Sequence, residues 1–153
     1  MRLTTQSEYA LVGLRALCQG ANGKPLSINT IATQEKMSKD YVEQLFLKLK
    51  RAGIVQSVKG AHGGYLLSRD PAQITIRQVI EALEGGAIYE AFCSPEVKEN
   101  IVCTHSVHCS LRPVWRKLKE LIDGFFSKIT LATLLKDENA VTQELDLLLA
   151  GEG

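Results

Sequence analysis

Apolar residues return at helical spacing near the start of the chain: Ala10, Leu14 and Leu17 share a face, with Leu11 and Cys18 beside it. This predicts a first helix. Its opening, Thr5-Gln6-Ser7-Glu8, has the form of a capping box, in which Thr5 and Glu8 satisfy free backbone N–H groups. Gly20, Asn22 and Gly23 end it. Cys18, at helical spacing among leucines, reads as a small buried thiol. A short helix follows over residues 28–35, broken at Met37-Ser38. Ser38 then serves as N-cap for a helix over 39–52 that turns Val42, Leu45, Phe46 and Leu49 inward and stops at Gly53. Two helices joined by a few residues make a helix-turn-helix.

The period then changes. Residues 54–58 and 64–68 read as strands, joined by the glycine-rich tip Lys59-Gly60-Ala61-His62-Gly63. A hairpin placed after a helix-turn-helix is a wing, and Asp70-Pro71 closes the unit. Thr75-Ile76-Arg77-Gln78 is a second capping box, opening a helix that runs to about residue 84 and ends at Gly85-Gly86. Periodicity is then lost until Leu111. From there Leu111, Val114, Trp115, Leu118, Leu121, Ile122, Phe125 and Ile129 form one broad apolar stripe, with Pro113 in the first turn. The stripe exceeds what two short remaining helices can cover, which predicts packing against a second copy about a twofold axis; an internal core helix is the alternative. Thr130 is placed to cap a short turn over 131–136, and a last helix spans about 140–150.

The expected fold is mainly α with a small two-stranded β wing: a winged helix-turn-helix plus a long dimerisation helix. The expected divisions are 1–84 for the DNA-binding unit, 85–110 for a loop, 111–136 for the dimerisation helix and following turn, and 137–153 for the C-terminal helix.

Charge sharpens this division. Residues 1–77 hold 11 Lys and Arg against 5 Asp and Glu, whereas residues 78–153 hold 7 against 12. A basic half joined to an acidic half points the first at a polyanion. Lys36, Lys39, Lys48, Lys50, Arg51 and Lys59 lie on the helix-turn-helix and wing, where they would neutralise phosphates. Base reading needs side chains near the start of the second helix: Ser38, Asp40, Tyr41, Glu43 and Gln44. Gln pairs with adenine, and Glu accepts from cytosine N4. At the wing tip, Gly60 and His62 join Lys59 as candidate DNA contacts. With no apolar signal segment at its start and no membrane span, the chain is expected in the cytoplasm, where the basic helix-turn-helix and wing would meet double-stranded DNA.

In that compartment clustered cysteines bind metal more often than they form disulfides. Cys93, Cys103 and Cys109 are separated by nine and five residues, with His105 and His108 between the last two. Structural zinc sites favour close Cys pairs, whereas an iron–sulfur cluster tolerates wide gaps and accepts His. Spacing alone leaves both open.

Several segments together resemble the iron–sulfur-dependent winged-helix regulators of the IscR and NsrR type. They are Tyr41-Val42-Glu43-Gln44-Leu45-Phe46, the wing from Val58 to Asp70, the three-cysteine loop, and the run Gly124 to Leu131. The likeness covers about residues 1–136 and is greater to IscR in the wing and dimer helix. It implies a homodimer with one cluster per subunit, held by Cys93, Cys103 and Cys109, with [2Fe–2S] favoured over [4Fe–4S]. It also implies DNA contacts from Ser38, Tyr41, Glu43 and Gln44. The IscR-type fourth ligand, a His three residues after the last Cys, is Arg112 here and cannot ligate. The NsrR-type alternative, a carboxylate from the partner's first helix, falls on Glu8; His105 and His108 are its rivals. Lys59 stands where Arg is frequent in the family, and Lys is a poorer fork for a narrow minor groove.

The functional expectation is a DNA-binding regulator, not an enzyme, whose cluster senses iron–sulfur supply or redox state. A zinc-stabilised winged-helix protein is the first alternative. A small redox carrier is the second, though it leaves the basic helix-turn-helix unexplained and finds no phosphate-binding loop or catalytic triad in the chain.

Overall fold

The computed structural model describes residues 4–21, 23–60, 62–84 and 109–151. The expected helix stop at Gly85-Gly86 and the loop residues Cys93, Cys103, His105 and His108 lie outside them. The elements are α1 (Thr5–Ala21), α2 (Ile28–Gln34), α3 (Lys39–Arg51), β1 (Val55–Val58), β2 (Gly64–Leu67), a 3₁₀ turn (Pro71–Gln73), α4 (Ile76–Glu84), α5 (Leu111–Lys128), a second 3₁₀ turn (Thr133–Leu135) and α6 (Glu138–Ala150).

The apolar positions of α1 and α3 meet as their spacing requires. Ala10, Leu14 and Leu17 of α1 and Val42, Leu45, Phe46 and Leu49 of α3 are all buried, together with Ile31, Ile54, Ile74, Val79, Ile80 and Leu131. Cys18 is half-buried against this core, and burial raises its thiol pKa. Ser27 caps α2 by accepting from the Thr30 N–H at 3.1 Å, and Lys36, at φ 54°, turns the chain into α3.

The wing is antiparallel, with Val55 opposite Leu67 and Val58 opposite Gly64. Its outer strand also pairs with the segment before α2: Leu26 and Tyr65 exchange N–H···O bonds of 3.0 and 2.9 Å. That exchange explains Gly64, and the tight hairpin itself explains Gly63. A Cβ on Gly64 would run into the Leu26 carbonyl, and one on Gly63 would meet the Val58 carbonyl oxygen at 2.5 Å. Gly60 sits at φ 127°, open to glycine and strained for other residues. Ser68 donates to the carbonyls of Gly53 and Ile54, and Arg69 Nη1 donates to Gly53 at 3.2 Å, so the base of the wing is tied to the end of α3.

The second capping box forms as expected: Gln78 Oε1 accepts from the Thr75 N–H at 3.0 Å and Thr75 Oγ1 from the Gln78 N–H at 3.2 Å. The first does not. Thr5 is already helical, and the end of α1 is served by Glu84, from the far end of α4. Its carboxylate accepts from the Thr4 N–H at 3.3 Å, from the Thr4 hydroxyl and from Ser7 Oγ at 2.8 Å. A carboxylate against the positive end of a helix is favoured, and this one replaces the local cap. Thr130 likewise does not act by a side-chain cap. It forms a bridge with Thr75, flanked by Ile76 N–H to Ile129 O and Leu131 N–H to Ile74 O, both 2.9 Å. These bonds pin the chain after α5 to the start of α4.

The long helix leaves its stripe uncovered within one chain. Leu111 and Val114 are 60% and 61% exposed, and Trp115, Leu118 and Leu121 are exposed as well. Only towards its end do Ile122, Phe125 and Phe126 reach the core.

Gly64→Ala is expected to destabilise the fold by about 1–3 kcal/mol, because the added methyl has only backbone to displace. Denaturant unfolding of the two proteins measures it. An unchanged midpoint would mean that the Leu26–Tyr65 exchange does not hold the wing in place.

Candidate nucleic-acid interface and metal centre

The inward face of α3 leaves its opposite face to water. Ser38 caps the helix, its Oγ accepting from the Tyr41 N–H at 3.3 Å. Lys39, Asp40, Glu43 and Gln44 are exposed around it. The polar amino-terminal part of α3 therefore points out of the domain. At the hairpin tip Lys59, Gly60 and His62 are exposed too. These two surfaces, a helix start and a wing tip, carry Ser38, Lys39, Asp40, Tyr41, Glu43, Gln44, Lys59, Gly60 and His62 of the residues expected to meet DNA.

Lys48, also expected at the DNA, is held elsewhere. Its ammonium donates to Gln6 Oε1 of α1 at 2.7 Å and reaches the Leu83 carbonyl of α4 at 3.5 Å. Tyr41, two turns earlier on the same side, is half-buried, its ring edge-on to Tyr9 of α1 with centroids 5.8 Å apart. Lys50 is also engaged, donating to Ser57 Oγ at 2.7 Å.

Sequence reasoning missed the cluster around Glu84. Burial pushes this carboxyl up, but the hydrogen bonds from Thr4 and Ser7 and the charge of Lys48 outweigh it, and its pKa lies below the ordinary value. One signal was available: an acidic side chain in the last turn of a helix opposes that helix's own dipole, so a partner elsewhere has to hold it.

Of the metal-ligand candidates, Cys109 and Glu8 are described. Cys109 is half-buried just ahead of α5, and its carbonyl accepts from the Arg112 N–H at 3.3 Å. Glu8 is exposed on α1, at the rim of a groove of about 510 Å³ between α1 and the start of α6. Arg15, Lys136 and Glu138 share that rim. Among the described residues no three His, Cys, Asp or Glu side chains come together as a metal site.

This is a winged helix-turn-helix DNA-binding protein, with the recognition face of α3 and the wing on one unit and an uncovered apolar helix beyond it. The chain belongs to the Rrf2 family, described as iron-dependent transcriptional regulators, whose profile matches residues 3–137. It is 32% identical over 141 residues to the HTH-type transcriptional regulator IscR of Serratia proteamaculans, covering 92% of this chain and 83% of that one. The solved structure of T. potens IscR superposes with a TM-score of 0.70 at 32% identity, over 90% of this chain and 88% of that one. CymR, the global cysteine regulator of B. subtilis, superposes equally well at 0.70, with 29% identity over 90% and 99% of the two chains. These relatives are transcription regulators, a class without enzymatic activity. No helix among the described residues is long and apolar enough to cross a membrane.

Replacing Gln44 by Ala is expected to cost about 1–3 kcal/mol on a duplex enriched from a random pool by repeated binding, and little on a random duplex of equal length. Fluorescence anisotropy on both duplexes measures the difference. An equal loss on the two would take base reading away from Gln44.

Proposed function

We propose that this protein is a homodimeric, IscR-like regulator that controls promoters in the cytoplasm according to the state of an iron–sulfur cluster. The observation that carries the reading is where the cysteines fall. Cys93 and Cys103 lie in the segment joining α4 to α5, and Cys109 closes that segment at the foot of α5. One end of the segment therefore leaves a helix tied to the recognition helix, and the other enters the helix with the uncovered stripe.

The donor set suits such a group: three soft thiolates at wide gaps, with Arg112 barred from the fourth place. Glu8 is the favoured fourth ligand, donated across the dimer, with His105 and His108 as rivals. The structure adds an argument for Glu8. Its expected capping duty is performed by Glu84, so local helix chemistry no longer accounts for a carboxylate at that position. A [2Fe–2S] group supplies one-electron redox chemistry and sensitivity to oxidants. Ser38, Lys39, Asp40, Tyr41, Glu43 and Gln44, with Lys59, Gly60 and His62 on the wing, carry the DNA contacts.

The dimer reading rests on the exposed stripe of α5. Leu111, Val114, Trp115, Leu118 and Leu121 form a contiguous apolar face on one helix, larger than isolated surface leucines account for. A second copy of the same helix, applied about a twofold axis, matches it in shape and chemistry. Leu118→Lys is expected to convert dimer to monomer in sedimentation equilibrium with the helix content unchanged. A wild-type monomer would overturn the dimer reading outright.

Iron, zinc and acid-labile sulfide, measured on protein purified without oxygen, test the cluster. Iron and sulfide in near-equal amounts with little zinc are expected, and Glu8→Ala should shorten the cluster's lifetime in air while leaving the dimer intact. Zinc without sulfide would replace the sensor with a zinc-stabilised winged-helix regulator. An unaltered visible spectrum and lifetime in Glu8→Ala would pass the fourth position to His105 or His108.

A further inference from the structure

We infer that Lys48 is an internal strut that positions the recognition helix, and not a phosphate contact: its ammonium joins α3 to Gln6 of α1 and to the Leu83 carbonyl at the end of α4, so that the end of α4 sets where α3 stands. The inference deepens the sensor reading and depends on it only in its last step.

Three elements meet at this point. The end of α4 grips the start of α1 through Glu84, which takes the Thr4 N–H at 3.3 Å and the Ser7 hydroxyl at 2.8 Å. Lys48 then bonds both partners at once, Gln6 on α1 at 2.7 Å and the carbonyl of Leu83 at 3.5 Å. A cation on the last carbonyls of a helix is favoured by its dipole, so the Leu83 end of α4 is a natural seat for an ammonium. The residue is half-buried there. Reaching a phosphate would mean giving up both acceptors for a contact that salt screens. Tyr41, two turns earlier, meets Tyr9 on the same side of α3, so one whole edge of the recognition helix is fastened to α1.

The far end of α4 is fastened as well. Arg77 faces Asp123 of α5 with Nε to Oδ1 at 3.9 Å, and the Ile76 N–H is bound to the Ile129 carbonyl at 2.9 Å. The helix is thus a short beam between α5 and α3, and the cysteine-bearing segment begins at its strut end. A change in that segment that displaces Leu83 or Glu84 is passed to Lys48 and through it to the base-reading face. Lys48 is a positioning residue in this scheme. The basic character that makes it look like a phosphate ligand is used inside the fold.

The test uses full-length dimer carrying Lys48→Met, Gln6→Leu, or both, titrated with the enriched and the random duplex over a range of salt. The strut predicts that Lys48→Met leaves the salt slope unchanged, weakens the enriched duplex about ten-fold, and weakens the random one less than two-fold. Gln6→Leu, which removes an acceptor and no charge, should have the same selective effect, and the double variant should be no worse than the worse single one. A salt slope lowered by about 0.9 per subunit, with equal loss on both duplexes, would make Lys48 a phosphate contact and overturn the inference. So would unchanged or improved binding by Gln6→Leu, which is the variant that decides the matter if Lys48→Met does not fold. Wild-type protein with and without iron is then compared on the enriched duplex. A difference between the two that disappears in Gln6→Leu supports transmission through the strut, and one that persists overturns that step. No difference in the wild type would remove the sensor reading, while the strut still stands or falls on the salt slope and the double variant.

Discussion

The arrangement depends first on how Phe46 is buried. Its ring has no exposure to solvent. It lies edge-on to Tyr65 of the wing, centroids 5.2 Å apart, and so close to α1 that a Cβ on Gly13 would meet it at 3.1 Å. Position 13 is therefore small because the ring needs the room. One side chain fixes three elements together: the recognition helix, the helix behind it and the hairpin beside it. Truncating a buried aromatic of this kind typically costs about 3–5 kcal/mol. More to the point for function, the burial of Phe46 and its neighbours Val42, Leu45 and Leu49 forces the opposite face of α3, with Glu43 and Gln44, into water. The exposed polar face of α3 is the outward consequence of apolar packing on the inward side.

Around this packed centre the polar ties serve placement more than bulk stability. Exposed hydrogen bonds and ion pairs contribute little to folding free energy. Those of Lys48, Glu84, Ser68 and Arg69 nevertheless each join elements distant in the chain: Lys48, Ser68 and Arg69 act at the end of the recognition helix and the wing base, and Glu84 joins the end of α4 to the start of α1. Apolar contacts hold the domain shut. Directional bonds decide the angle at which α3 and the wing are offered. A regulator needs that angle to be both definite and adjustable, and charge-assisted bonds among half-buried groups give such a balance: strong enough to set a position, weak enough to be exchanged.

The division between the two halves of the chain then acquires a physical sense. The basic half is closed over a core to which Val79, Ile80, Leu83, Ile129 and Leu131 of the acidic half also contribute. The acidic half carries a helix whose stripe is left open, and α4 is bonded to both. The family to which the chain belongs uses this plan for transcription regulation. In this chain the end of α4 is also tied back to α1, where Glu84 takes the place of a local cap.

Much of this was readable without coordinates. Helix and strand identities followed from periodicity, because a buried face must recur at 3.6 or 2 residues whatever its partner. The cap at Thr75-Gln78, the stop at Gly53 and the glycine-rich wing tip were legible because local backbone chemistry alone demands them. The uncovered stripe of α5 was legible as excess apolar surface. What the sequence could not decide was which of several equally suitable partners a polar group takes. Thr5-Gln6-Ser7-Glu8 has the pattern of a self-sufficient cap, yet the carboxylate that serves α1 comes from position 84, because folding brings the end of α4 against the start of α1. Lys48 has the look of a phosphate ligand, yet the same fold sets Gln6 and the Leu83 carbonyl beside it. Local order is determined by what neighbours in the chain require; the partners of long, flexible, charged side chains are determined only when distant segments are packed together.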